Sequence, residues 1–466
     1  MRSSSNRASR SSRDNNQRQS RKSARNSVRT SKRSLGSFNA SMMAIALGLG
    51  SLGLTIALGV RGNVAQATVS AVPVAPQFLQ KGGPEDPPPN PNAVAPDGRP
   101  LSRDVATPLA APAPLKPGSS LGTDWQLFGT RGDRQNLLKS IDYSLRYMGT
   151  PKSREAYSNY PVEGVTHSRV LRSLRRFREL VVAAKSAKEL QAAVAREFDL
   201  FSSVGRDGRG EVYFTGYFVP VYRASRVRTE EFRYPLYRAP SNQSQWQKPY
   251  PTREQLEGKD GEGNDSVIKG QEIFWLRDRM EAFLVHIQGS ARLQLPDGSI
   301  TSVGYAGNNG YPYVSVGGEI AKDGRLPRRG MTLPVMIRWF EQNPGELNNY
   351  LPRNHRFIFF QETNGAPAQG NLNVPVTADR SIATDRDLMP PGALALVNTS
   401  LPYVNGSGRI EYHRVNRFVL DQDTGSAMIG PGRADYFMGT GDRAGARAGV
   451  TGSAGRLYYL LLREAN

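Results

Sequence analysis

The order of its periodic segments predicts an α+β chain that is mainly β, preceded by N-terminal segments that do not fold. Three observations lead there: apolar residues at helical spacing between Leu137 and Phe198, short runs of β-formers from Glu211 onward, and a Ser/Arg-rich, then Pro/Ala-rich composition before residue 121.

Residues 1–40 hold eleven Lys or Arg against one acid, Asp14, and few apolar residues, so they are expected to form a disordered basic arm. Residues 41–67 are expected to be a signal peptide or membrane anchor. Ser41 to Val60 carries no charge, and Ala65-Gln66-Ala67 places small residues at a cleavage-type spacing. Positive charge ahead of the apolar run holds that end in the cytoplasm and sends the remainder across. The expected location is therefore exported, either periplasmic or held at the inner membrane, with the arm meeting anionic lipid and no nucleic acid. Residues 68–120, including Pro87-Pro88-Pro89, read as an extended linker.

The folded part begins near residue 121. Leu137, Leu138, Ile141, Leu145 and Met148 mark a first helix, Leu171, Leu174, Phe177 and Val181 a second, and Leu190, Val194 and Phe198 a third. Strands are expected at Glu211 to Tyr222, Phe283 to Gln288, Arg292 to Leu295 and Ile300 to Tyr305, with Pro296-Asp297-Gly298 turning between the last two. A helix around Pro334 to Glu341 precedes strands at Arg356 to Phe360, Ala393 to Val397, Arg417 to Leu420 and Leu457 to Leu462.

The chain has no Cys, which excludes thiol nucleophiles, iron–sulfur clusters and lipid-modified cysteine. Its four His show no HxxxH or HExxH spacing, so no metal and no cofactor are expected. Gly118-Ser119-Ser120-Leu121-Gly122 and Gly48-Leu49-Gly50-Ser51-Leu52-Gly53 match short catalytic and dinucleotide patterns but lack the strand–turn–helix setting those need. Asp423-Thr424-Gly425-Ser426 resembles an aspartic protease loop, yet that chemistry needs two such carboxylates and the motif occurs once, which leaves only a homodimeric protease open. Asp423, Asp435 and Asp442 lie among glycines. Carboxylates on such loops either reach a polymer in an open groove or cap their own turns, and spacing alone leaves both open.

The stretches Phe214 to Arg226 (FTGYFVPVYRASR), His286 to Gly298 (HIQGSARLQLPDG), Gly304 to Gly317 (GYAGNNGYPYVSVG), Val374 to Gly392 and Gln422 to Gly441 (QDTGSAMIGPGRADYFMGTG) resemble, in the same order, the MltA-type lytic murein transglycosylases. The last two also resemble that family's three-aspartate (3D) domain, at Asp385, Asp423 and Asp435. The resemblance implies a double-psi β-barrel catalytic domain from 121–222 and 325–466, an inserted second β domain at 223–324, and peptidoglycan glycan strands between them. It implies cleavage of the MurNAc–GlcNAc bond with 1,6-anhydro-MurNAc ends, in cell-wall turnover. By matching position, Asp435 is the catalytic acid; Asp423, Gly425 and Ser426 line the site; Thr215, Tyr217, Gln288, Ser290, Ala306, Gly307 and Asn309 contact glycan; and Asp385 supports the barrel. The alternative is a non-catalytic peptidoglycan-binding or scaffolding protein that keeps the groove without the chemistry.

Overall fold

The computed structural model describes residues 122–464, with 102–103, 107–111 and 113–114 before them. The expected arm, the signal or anchor segment and most of the linker lie outside the described residues. The end of the linker departs from an extended spacer: a short strand, β1 (Ala113–Pro114), already pairs with the folded body.

Four helices follow, α1 (Arg134–Met148), α2 (Pro151–Ser158), α3 (His167–Ala183) and α4 (Ala187–Glu197). Thr150, Thr166 and Ser186 cap the last three by accepting a backbone N–H three residues on. α2 has no apolar stripe to announce it; the Thr150 cap and Pro151 at its first position set it. On α3, Val170, Leu174, Phe177 and Val181 are fully buried, and the Phe177 ring lies 4.9 Å from that of Phe418. Each such burial contributes about 1.5–3 kcal/mol.

After β2 (Phe198–Ser202) and β3 (Val212–Val219) the chain meets Pro220. The single strand expected over Glu211 to Tyr222 splits there, because proline offers no N–H to a ladder. β4 (Val221–Ser225) starts a second sheet, joined by β5 (Tyr234–Tyr237), then α5 (Arg253–Glu257), β6 (Glu272–Leu276), α6 (Arg279–Gln288), β7 (Ser290–Gln294) and β8 (Ile300–Asn308). Phe283 to Gln288 is thus helix and not the expected strand. Asp278 caps α6 by accepting from Glu281 N at 3.0 Å, and Gly289 ends it at a φ of 76°. Met280 and every residue from Ala282 to His286 are buried, so no polar face exposed the helical period. Three helices, α7 (Val316–Lys322), α8 (Leu333–Gln342) and α9 (Leu347–Tyr350), precede β9 (Ile358–Glu362). β9 pairs antiparallel with β8 and completes the order β5-β6-β4-β7-β8-β9. The second sheet therefore reaches Glu362 instead of ending at 324, since its edge strand is supplied only after the helical excursion.

The chain then returns to the first sheet with β10 (Ser381–Ala383), β11 (Leu394–Val404), β12 (Ile410–Asp423), β13 (Arg433–Thr440), α10 (Asp442–Ala448) and β14 (Gly452–Leu462). β14 pairs with β11 along one stretch and with β3 along another, so the strands β3-β13-β10-β12-β11-β14 close into a ring. The β3–β13 and β10–β12 pairs are parallel and the other ladders of the ring are antiparallel. This is a double-psi β-barrel, and closure leaves no open edge within the ring. β2 continues alongside β14, and β1 alongside β2.

A buried charge cluster fastens the start of the body to the barrel. Arg380 pairs with Asp124 and Asp133, each at 2.5 Å, and Arg417 pairs with Asp124 at 3.1 Å and also with Asp133. Asp124 further accepts the backbone N–H of Phe418 at 3.0 Å. Two guanidiniums and two carboxylates balance, which is what permits charges so far from water.

Candidate active site

Along β13 the side chains alternate: Ala434 and Tyr436 are fully buried, while Asp435 lies on the opposite face with its side chain 21% exposed. Asp435 stands opposite Thr215 of β3 on one side and Ala383 of β10 on the other. Ala383 in turn faces Asp423 at the end of β12. The two aspartates therefore flank one alanine across two strand spacings, about 10 Å between backbones.

The two carboxyls are treated differently by their surroundings. Asp423 is fully engaged: Oδ1 accepts the backbone N–H groups of Thr424 (2.8 Å) and Asn371 (2.9 Å), and Oδ2 accepts the Tyr217 hydroxyl (2.9 Å). Burial pushes its pKa up to about 6, against the pull of those donors, and the charge of Asp435 adds to the rise. Asn371 comes close because the neighbouring Gly370 has no side chain; a Cβ there would lie 2.4 Å from the Gln422 carbonyl. Among the described residues Asp435 has one donor, Arg433 Nη2, at 3.4 Å. The same Nη2 donates to Thr215 Oγ1 at 2.9 Å, and Arg433 Nε is buried without a partner among the described residues. Burial raises the Asp435 pKa and Arg433 opposes that rise.

Tyr217 is held against Phe437, ring centroids 5.1 Å apart, and burial beside Asp423 keeps its hydroxyl protonated. Gln288, at the end of α6, accepts the backbone N–H of Phe218 at 3.0 Å and so ties the second domain to β3 just past Tyr217. Ser290 begins β7 opposite Gly304, and Ala306 and Gly307 sit at an irregularity between β8 and β9. Tyr313, from the loop after β8, is raised in pKa by burial and feels the charges of Arg433 and Asp435. Gly425 and Ser426 are exposed on the loop after β12.

Residues 213–361 match the family model described as the MltA specific insert domain, and residues 380–461 match the 3D domain. The membrane-bound lytic murein transglycosylase A of Escherichia coli K12 is 31% identical over 264 residues, 56% of this chain and 69% of that protein. The chain belongs to the MltA family of lytic murein transglycosylases. Two solved structures share the fold at 24% identity: E. coli MltA with bound chitohexaose (TM-score 0.57, covering 78% of this chain and 95% of that one), and a membrane-bound lytic murein transglycosylase from Agrobacterium tumefaciens (TM-score 0.57, 71% and 93%). As a member of this family the chain is a peptidoglycan lytic transglycosylase.

Not every residue expected at this MltA-type site reaches open space. Asn309 is fully buried: Nδ2 donates to the carbonyls of Pro251 and His355, and Oδ1 accepts from Phe357 N, all at 2.8 Å. Its two donors and one lone pair of its acceptor are thus held by the backbone. Asp385 is also fully buried, at the end of β10, where it accepts the backbone N–H of Gly430 at 2.7 Å. Two groups of the site escaped the sequence reading. Arg433 precedes Asp435 by two residues and so shares its strand face, a signal the alternation alone provides. Asp421, behind the site, accepts the hydroxyls of Tyr459 (2.5 Å) and Thr384 (2.7 Å), and burial drives its pKa to about 7.

Proposed function

We propose that this chain cleaves the MurNAc–GlcNAc bond of peptidoglycan by intramolecular transglycosylation, with Asp435 as its single acid and base. The observation that carries this reading is the asymmetry of the two carboxyls: every oxygen of Asp423 is committed, whereas Asp435 is raised in pKa and, among the described residues, keeps only a long contact to Arg433. A hydrolase of the two-carboxylate kind would need a second free group to activate water or attack the sugar. Here one carboxyl suffices. Protonated Asp435 gives its proton to O4 of GlcNAc as the bond from C1 of MurNAc breaks; the resulting carboxylate then takes the proton from the 6-hydroxyl of the same MurNAc as O6 bonds to C1. The proton count closes on Asp435, and the nucleophile is already tethered to the reacting carbon. Tyr217, fixed by Asp423, and the second-domain residues Gln288, Ser290, Ala306 and Gly307 border the course of the glycan in this reading, consistent with the chitohexaose bound by the E. coli relative.

The envelope is the place of action, as the relatives' description as membrane-bound suggests. Residues 41–67 would serve as the signal or anchor, residues 1–40 as the arm before it, and the inserted domain would span 221–362. Digestion of purified murein followed by mass spectrometry tests the chemistry: anhydro ends are expected, reducing ends would mean hydrolysis, and an undigested sacculus that still binds the protein would favour the scaffolding alternative.

Arg433 offers a second check. Its positive charge favours ionised Asp435, so Arg433→Gln is expected to raise the pKa of Asp435 further. The alkaline limb of kcat/KM, which reports loss of the protonated acid, should then move to higher pH. An unmoved limb would separate Arg433 from the titration.

A further inference from the structure

Asp385 is a fully buried carboxylate next to the site, and its counterion comes from outside the barrel. Arg103 Nε lies 2.6 Å from Asp385 Oδ2, and Arg103 Nη1 lies 2.7 Å from Asp387 Oδ2. The same Oδ2 of Asp385 accepts the backbone N–H of Gly430. Gly430 closes the loop that begins at Thr424 and carries Gly425 and Ser426, and it sits at a φ of 78° with the Ser102 carbonyl so near that an added Cβ would lie 2.1 Å from it. The other end of the loop is tied to the same short segment: Thr424 Oγ1 donates to the Thr384 carbonyl at 2.7 Å, and Thr384 N donates to the Asp423 carbonyl at 3.2 Å.

The stretch around Arg103 is itself docked. Ala110 N donates to the Ser202 carbonyl at 2.8 Å, Val204 N donates to the Pro108 carbonyl at 3.0 Å, and Leu109 is buried against the barrel core. Ser203 Oγ donates to the Pro431 carbonyl at 2.6 Å, directly beside Gly430. The described residues 102–103 and 107–111 thus act as a strap, and its Arg103 side chain enters the cluster that holds both ends of the loop.

We propose that Arg103 is a positioning residue for the transglycosylase reaction, holding the 424–430 loop and the end of β10 in register through Asp385. The proposal rests on the reading of Asp435 and Asp423 as the site. Without the guanidinium, the buried carboxylate loses its counterion and the Gly430 amide its fixed acceptor. The strand end that separates Asp423 from Asp435 then loosens, and misplacement at that scale reduces turnover more than it weakens binding.

The test uses the full chain with Arg103→Ala and Arg103→Lys, assayed on purified murein well below the unfolding temperature. For Arg103→Ala, kcat for anhydro-muropeptide release is expected to fall about tenfold with KM changed far less. Amide exchange at Gly430 should accelerate, and Arg103→Lys should recover part of both, because it keeps the charge but not the forked geometry. The proposal is overturned if kcat per folded molecule and Gly430 exchange both match the unaltered chain, or if activity falls only in proportion to unfolded protein. Should Arg103→Ala fail to fold, the same two readouts on Arg103→Lys decide, with an unchanged kcat and exchange counting against it. Failure of the unaltered chain to release anhydro products would instead strike the function itself.

Discussion

Asp435→Asn is expected to abolish release of anhydro-muropeptides while leaving the fold and glycan binding intact. The amide is isosteric, and the partly exposed position places no buried charge pair at risk beyond the 3.4 Å contact with Arg433. Loss of a general acid or base ordinarily costs about 10²–10⁴ in rate, and this reading assigns one carboxyl to both proton transfers, so the upper end of that range is the expectation. Muropeptide analysis by mass spectrometry reads the loss, and a sacculus pull-down reads retained binding. Turnover within tenfold of the unaltered chain would remove Asp435 from the chemistry. Asp423→Asn should behave differently. Its amide oxygen can still accept a hydrogen bond, but one acceptor is lost, so a partial loss that tracks disorder of Tyr217 is expected.

The largest stability effect should come from the buried cluster of Asp124, Asp133, Arg380 and Arg417. Removing Asp124 leaves two guanidiniums that are at most 2% exposed sharing one carboxylate, Asp133, beside neutral acceptors such as the Phe418 carbonyl. Breaking a buried pair from one side costs about 3–5 kcal/mol, so Asp124→Ala should lower the urea midpoint sharply by circular dichroism. Asp124→Asn should cost less, because its oxygen still accepts from Phe418 N. The pKa of Asp133 runs the same way: burial pushes it up, yet Arg380 and Arg417 prevail and leave it below the ordinary carboxylate value. Its contribution to stability is therefore present at neutral pH and fades as pH falls through the acid range. Equal midpoints for the unaltered chain and Asp124→Ala would mean the cluster is ornamental.

Periodicity made the first helices legible because Val170, Leu174, Phe177 and Val181 form one buried stripe beside a wet face. It failed at α6, where burial on all sides erased the contrast that distinguishes a helix from a strand. At β9 it found the strand, expected at Arg356 to Phe360, but not its sheet, because no local pattern says which sheet a strand will join once helices intervene. The site divides in the same manner. Asp435, Asp423, Thr215 and Tyr217 were reached by motif likeness and do share one barrel face, while Asn309 carried the right chemistry in the motif but spends it on backbone. Arg433 was readable from strand alternation. Arg103 was not, because an arginine in Pro/Ala-rich sequence carries no sign of the partner that waits nearly three hundred residues later.

Ring closure by β14 has a consequence for biosynthesis. Gly452 pairs with Thr215 and Tyr458 with Ser202, so the barrel cannot be completed until β14 has been synthesised. The inserted sheet, whose ladders all lie between Val221 and Glu362, is free to assemble while translation continues. A chain interrupted between Asp435 and β14 would thus carry the acid without the enclosure around it, and an enzyme able to open the cell wall would be armed only once that strand is in place.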